Sequence, residues 1–324
     1  MIKYNSQNIN DWNFGDDNIV KVYRNGAVVY YKVTNESPTP PIDYSNSYFS
    51  LVAETNNVSF AYDTASSNNV IQYSTDSGTT WSNLTNGNST PSVNLGEKVM
   101  FKCSGLTVNT ERGIGRITPS AQASVEGNVM SLVYGDNFAE QTVISNNYQL
   151  RKLFSGVTTI TSAENMVLPA TTVTKQCYSQ MFQGCANLTK SPKVIGASAM
   201  TWNGDYCFSD MFNGCTNMTT APELPALNLG TQCYWYMFQG CTSLTTAPEL
   251  LATTVNTQSY NGMFSGCTSL NYIKVMASNG FTMNEWVEGV ASSGTFVKNS
   301  TATFSSCSSN TYPCNWTVQN ESIS

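Results

Sequence analysis

Ten cysteines and no histidine set the limits on chemistry in this 324-residue chain. Without imidazole there is no Ser-His-Asp or Cys-His nucleophile, and the commonest nitrogen ligand for metals is missing. Six of the cysteines fall in pairs eight residues apart, Cys177/Cys185, Cys207/Cys215 and Cys233/Cys241. Cysteine metal sites space two ligands by about two to four residues and add further ligands, so neither a metal nor a cofactor is expected. Stacked copies of such a segment bring Cys185 and Cys215 within roughly 5 Å, close enough by Cα distance for a bridge. Equivalent side chains in stacked copies point the same way, however, and a disulfide needs convergent Cβ vectors. Val157 and Ser259 stand at two of the cysteine positions, as suits a small packed residue better than a bridge partner. The expectation is therefore reduced, buried thiols acting as small hydrophobes. Cys307 and Cys314, seven apart near the C-terminus, are the pair most able to close a local bridge in an oxidising environment. Glu223 and Glu249, with Lys193 in the same column, invite an acid–base reading. One repeat apart on an outer face they are expected to be solvated, with Lys193 and Glu223 a weak surface pair. No catalytic residue is assigned.

The cysteines belong to a phrase written four times: Met181-Phe-Gln-Gly-Cys185, Met211-Phe-Asn-Gly-Cys215, Met237-Phe-Gln-Gly-Cys241 and Met263-Phe-Ser-Gly-Cys267, at intervals of 30, 26 and 26 residues. Such a period marks one supersecondary unit per copy, which buries its apolar face by stacking on its neighbours. Cys177, Met181 and Cys185 recur at i, i+4 and i+8, which predicts a short helix with the trio on one face. The glycine before each second Cys stands where that helix should stop. Leu188, Met218, Leu244 and Leu270 then open a short extended segment, which Pro192, Pro222 and Pro248 end. Leu153-Phe-Ser-Gly-Val157 reads as a degraded first copy, as a capping coil should.

These residues resemble the BspA-like leucine-rich repeats, whose Phe-x-x-Cys-x-x-Leu pattern matches Phe182 to Leu188 and its successors. Thr-Thr-Ala-Pro-Glu-Leu, at 219–224 and 245–250, is similar to the variant of Bacteroidales surface proteins and their phages. The segment Val125 to Phe138 resembles what precedes the repeats in that group, and Gly294-Thr-Phe-Val-Lys298 with Trp286 and Asn315-Trp-Thr-Val318 resembles the closing cap. The resemblance covers roughly the second half of the chain. It implies an α/β leucine-rich-repeat-like solenoid over 147–276 with a C-terminal cap over 277–324, used for adhesion or recognition.

Before the repeats, residues 19–33 place two β-branched and aromatic runs around Asn25-Gly26, a strong type I′ hairpin signal. A lone hairpin is marginal in water and must dock, so 1–36 is expected to be a hairpin anchor carried by Val22, Tyr23, Asn25, Gly26, Val28 and Tyr30. Lys21 to Lys32 is similar to a leader on virion proteins of crAss-like phages, which implies attachment to other virion proteins. Ser37-Pro-Thr-Pro-Pro41 makes 37–43 a stiff linker. Short alternating runs from Tyr44 to Asn146, separated by Asn, Gly and Ser clusters, predict an all-β antiparallel sandwich over 44–146. Within it Ser74-Thr-Asp-Ser-Gly-Thr-Thr-Trp81 resembles the Asp box of sialidases, where the motif shapes a hairpin away from the active site; one copy cannot make a propeller, so a structural turn is expected.

Charged residues are 11% of the chain and the net charge is −6, which argues against a nucleic-acid or anionic-membrane surface. No apolar run follows Met1-Ile-Lys-Tyr, so no signal peptide is expected, and no window approaches the ~20 apolar residues of a spanning helix. Departures from the repeat suggest where binding occurs. The loop after Pro192 is four residues longer than its successor and holds Trp202, and Trp235-Tyr236 replace polar residues found in the other copies. These three aromatics either form a platform for a sugar or protein, or Trp202 folds onto its own loop and Trp235 packs against a neighbouring copy or domain. The reading is a non-enzymatic structural virion protein, a phage head or tail fibre or decoration protein assembled in the host cytoplasm. It docks by its N-terminus and adheres to a host or gut-surface glycan or protein. Homo-oligomers are allowed for, though no heptad seam argues for them. The alternatives are a bacterial cell-surface adhesin and, more remotely, a carbohydrate-active enzyme.

Overall fold

The computed structural model describes residues 43–322, apart from 65–68, 104–105, 257, 279–280, 282 and 305, together with the backbone of five strands before residue 43. The chain divides into two compact units, Met1–Asp43 and Tyr44–Ser324. In the first, β1 (Lys3–Tyr4) pairs with β2 (Gln7–Asn8), and β3 (Asn10–Phe14), β4 (Asp17–Arg24) and β5 (Ala27–Val33) form an antiparallel meander. The β-branched and aromatic runs face each other in register, Val22 with Val29, Tyr23 with Val28 and Lys21 with Tyr30. Asn25 and Gly26 lie outside the described residues. The expected lone hairpin is corrected to three strands, because Asn10 to Phe14 pair along β4 from Lys21 to Asp17.

The second unit opens with β6 (Ser50–Ala53), β7 (Phe60–Asp63), β8 (Val70–Ser74), β9 (Ser82–Thr85), β10 (Lys98–Lys102), β11 (Arg116–Pro119) and β12 (Ala123–Asn128). Alternation fixes the inward face: on β7, Phe60 and Tyr62 are buried while Ala61 and Asp63 are half-buried. Six strands make one sheet in the order β13-β12-β6-β10-β8-β9, where β13 (Ile160–Val167) runs parallel to β12 and the other neighbours are antiparallel. β7 and β11 pair separately, and the Phe60 ring meets Phe101 of β10 edge-on at 6.1 Å. Instead of two matched sandwich sheets there is one mixed six-stranded sheet with a two-stranded partner. Because β13 follows the first repeat copy, that sheet crosses the boundary expected after residue 146, and one core runs from Phe49 to Trp316.

The expected α/β solenoid is not formed. Among the described residues the helices are α1 (Ser131–Tyr134) and a three-residue 3₁₀ turn after it, and the repeated phrase is a run of β-turns. Gln176, Gln180 and Gly184 have φ of +53°, +59° and +73°, and Tyr206, Asp210 and Gly214 repeat this at +59°, +53° and +76°. A left-handed residue at every fourth position excludes an α-helix. The amides divide by parity. Cys177, Ser179, Met181, Gln183 and Cys185 donate N–H to the carbonyl three residues back, closing turns. Gln176, Tyr178, Gln180, Phe182 and Gly184 donate to Asp205, Cys207, Ser209, Met211 and Asn213 of the next copy. Each copy thus satisfies about half of these donors internally and half on its neighbour. Four-residue turns return side chains to one face at i, i+4 and i+8, which is why the spacing mimics a helix.

Side chains reinforce the stack. The rings of Phe154, Phe182, Phe212, Phe238 and Phe264 lie 5.4, 5.6, 5.6 and 5.7 Å apart, the last three steps within 10° of parallel. On the other side of each coil, parallel bridges such as Lys190 with Thr220 and Leu224 with Leu250 join neighbours. Proline explains why these stay single bridges. Pro192, Pro222 and Pro248 lack a ladder N–H, whereas Glu164 and Lys274 occupy the same column in β13 and in β16 (Tyr272–Val275), where full strands form. β16 continues in parallel into β17 (Thr295–Asn299) and β18 (Thr317–Glu321). The cap contains one more turn coil, since Phe264 and Gly266 donate to Trp286 and Glu288.

Candidate binding face on the stacked turns

The thiols are placed by the stack and buried within it. Eight cysteines are free and buried. Cys185, Cys215, Cys241 and Cys267 each donate S–H to the carbonyl of Phe154, Phe182, Phe212 or Phe238 in the preceding coil, at 3.1, 3.1, 3.1 and 2.9 Å. Cys207 does the same to Thr174, and Ser259, in that column, donates its hydroxyl to Gly230 at 3.1 Å. Ser259 keeps both the small volume and the donor that Cys207 supplies in the same column. Val157 stands in the first coil, where no repeat precedes it to offer a carbonyl. Burial pushes the Cys185 and Cys267 thiols up to about 12, far from the thiolate that reactivity or metal binding needs. Cys307 and Cys314 form a disulfide. Among the described residues no group of three or more His, Cys, Asp or Glu side chains is arranged to hold a metal ion.

The Asp-box segment is committed to its own turn between β8 and β9. The Asp76 carboxylate accepts from the Thr80 hydroxyl and N–H and from the Ser74 hydroxyl, and these bonds, that of Thr80 foremost, hold its acid near 2. The Trp81 indole N–H donates to Gly78 at 3.1 Å, and Lys102 lies 4.1 Å from the Trp81 ring centroid. On the repeats, Glu223 N–H donates to the Lys193 carbonyl, while the ion pairs of that edge join Lys190 to Glu164 and Lys274 to Glu249 and Glu321.

Of the three aromatics singled out by the repeat columns, the structure brings two together. Trp202 lies on β15 (Thr201–Asn203), which pairs with β14 (Thr172–Thr174). Its ring stands edge-on to Phe208 and Tyr234 at 5.9 and 6.5 Å, and its indole N–H donates to Asn228 at 3.0 Å. Trp202 is therefore a wedge at the side of the core ladder, sealing the enlarged loop. Trp235 and Tyr236 sit on the turn face with ring centroids 4.7 Å apart. Tyr206, one coil earlier, meets Trp235 edge-on at 5.4 Å. The three half-buried rings form a continuous ledge. Tyr206 stands in a column that holds Tyr148 in the first coil and Gln176, Gln232 and Gln258 in the others, so its type alone did not mark it as an exception.

Gly262 shows how the ledge is set. Its column holds Lys152, Gln180, Asp210 and Tyr236, all at positive φ, so backbone conformation alone does not demand glycine there. A Cβ at Gly262 would lie 1.9 Å from the Tyr236 ring. Glycine gives Tyr236 a floor to lie on. Beside the ledge, Asp210 N–H donates to the Trp235 carbonyl at 2.8 Å, and the Asp210 carboxylate accepts from the Asn213 amide at 3.0 Å. Burial pushes this carboxyl up, against the Asn213 bond and the charges of Arg151 and Lys152. The second Asn213 N–H bond goes to Gln239 Oε1 at 2.9 Å, and Arg151 donates to Gln180 Oε1 at 3.0 Å.

No family model, no curated protein and no solved structure matches the chain.

Proposed function

We propose that the chain is a non-enzymatic structural protein of a phage virion, a head or tail fibre or decoration protein. In this reading Met1–Asp43 attaches it to other virion proteins and the stacked turns are displayed for adhesion to a host or gut surface. The observation that carries the reading is the aromatic ledge. Trp235 and Tyr236 stand half-buried at columns that are polar or glycine in the other coils, and Tyr206 extends them into a run of three rings. The resemblance of the repeat phrase to BspA-like adhesins and of the leader to virion proteins supports the same assignment. A disulfide between Cys307 and Cys314 suits a surface that meets an oxidising environment.

Deletion of residues 1–36 tests attachment. The truncated chain is expected to keep the melting transition of Tyr44–Ser324 and to be missing from purified particles, as read by immunoblot. Incorporation at the wild-type level overturns the anchor. Adhesion is tested by binding of the purified chain to intact host cells, which Trp235→Ala should weaken; equal binding by both proteins sinks the ledge as the contact.

A further inference from the structure

We propose that the ledge binds a neutral carbohydrate, with a sugar ring laid against Tyr206, Trp235 and Tyr236 and its hydroxyls shared among Asp210, Asn213 and Gln239. The inference rests on the adhesion reading and narrows it to one ligand class.

Charges of opposite sign stand side by side here, so neither an anionic nor a cationic ligand is favoured over a neutral one. Asp210, already partly desolvated beside the rings, repels an anionic group brought onto the ledge. Arg151 and Lys152 lie close enough to act on Asp210, and they disfavour a second cation there. What both permit is a ligand with no net charge and a large polar surface.

Hydrogen-bond polarity then selects hydroxyls. Asn213 uses both N–H bonds, one on Asp210 Oδ1 and one on Gln239 Oε1. This fixes the amide orientations and leaves Asn213 Oδ1 and Asp210 Oδ2 as acceptors, with Gln239 Nε2 as a donor. Arg151 likewise takes Gln180 Oε1, which leaves that amide's Nε2 as a donor. Acceptors and donors of fixed orientation therefore stand on the turn coils that carry the rings. A hydroxyl both donates and accepts, so neighbouring sugar hydroxyls satisfy such a set, whereas an apolar protein anchor leaves it unpaired. The ledge covers the apolar requirement. Its rings are held by packing, Tyr236 against Gly262 and Trp235 between Tyr206 and Tyr236, so little side-chain freedom is lost on binding.

The test presents the full chain to immobilised oligosaccharides in three groups: uncharged hexose and N-acetylhexosamine glycans, sialylated and sulfated glycans, and deacetylated chitosan as a polycation. Binding is expected within the uncharged group. It should weaken about tenfold or more in Trp235→Ala and in Asp210→Ala, the loss of a contact of hot-spot size. Trp202→Phe, off the ledge, should bind as wild type. Gln239→Ala, at a half-buried amide, serves where either ledge variant loses its melting transition, and it should bind severalfold more weakly. Binding confined to a charged group overturns the ligand class, as does uncharged binding that Trp235→Ala and Asp210→Ala leave unchanged. If no group binds while host-cell attachment still depends on Trp235, a protein occupies the ledge: the carbohydrate inference fails and the adhesion reading stands. Failure of both measurements removes both.

Discussion

The six-stranded sheet and the stacked turns bury similar side chains by opposite uses of the backbone. In the sheet, the strands give their amides to neighbouring strands, mostly antiparallel and, apart from the β8–β9 hairpin, far away in sequence, and side-chain alternation decides which face is inside. In the stack, alternate amides stay within their own turn and the rest go to the next copy. A sheet strand is therefore specified by its period of two, and a coil by a period of four that must agree with the coil beside it. Substitutions in the stack should be felt by neighbouring coils, and three changes break or sharpen that contrast.

The largest effect is expected at Phe212, which is fully buried and stacks on Phe182 and Phe238 at 5.6 Å each. Phe212→Ala should cost about 3–5 kcal/mol in urea unfolding. Hydrogen exchange should quicken in the coils at 182 and 238 while β6 and β10 keep their protection. Equal loosening of sheet and stack would mean that the two do not differ in this way. Next is the thiol column. Cys215→Ser keeps a donor for the Phe182 carbonyl and should stay within about 1 kcal/mol of wild type, whereas Cys215→Val loses the donor, adds volume and should cost about 1–3 kcal/mol. Thermal unfolding under reducing conditions reads the difference, and a Val variant as stable as the Ser variant would return the cysteines to plain packing. The smallest effect is at Gly262. Gly262→Ala at positive φ should cost about 1–2 kcal/mol and lift Tyr236, changing the near-ultraviolet circular dichroism. Gln180→Ala in the same column gives up the Arg151 bond and should cost about 1 kcal/mol while leaving that signal alone.

The sequence carried the period, the columns and the core. Met181, Phe182, Cys185 and Leu188 and their equivalents are all buried, as copy-to-copy comparison of residue types expects. It did not carry the local conformation. Side chains recurring at i and i+4 lie together on an α-helix and on successive four-residue turns alike, and what separates the two is the sign of φ at Gln176, Gln180, Tyr206 and Asp210. None of those is a residue that announces a left-handed backbone as glycine does. The prolines were read as strand ends, but their absence at Glu164 and Lys274 was the better signal, for it marks where strands form. At the candidate site, Trp235 and Tyr236 were legible as exceptions to their column. Trp202 was not separable from them, because a longer loop says nothing of which way its aromatic turns. Asp210 passed as one more polar residue until its bonds to Trp235 and Asn213 placed it at the ledge.

The division of amides also gives the stack a direction. On the turn face every coil presents carbonyls to the coil before it and N–H groups to the coil after it. At the front, Gln149 and Leu153 carbonyls are taken by the Ile114 and Ile117 amides around β11; at the back, Val287 and Met283 N–H groups reach Ser309 and Asn310. Any interior coil thus offers the same two edges as any other. A tandem duplication or loss of one 26-residue unit is therefore expected to leave the turn-face joins matched, so that length could change by whole coils while the two ends stay as they are.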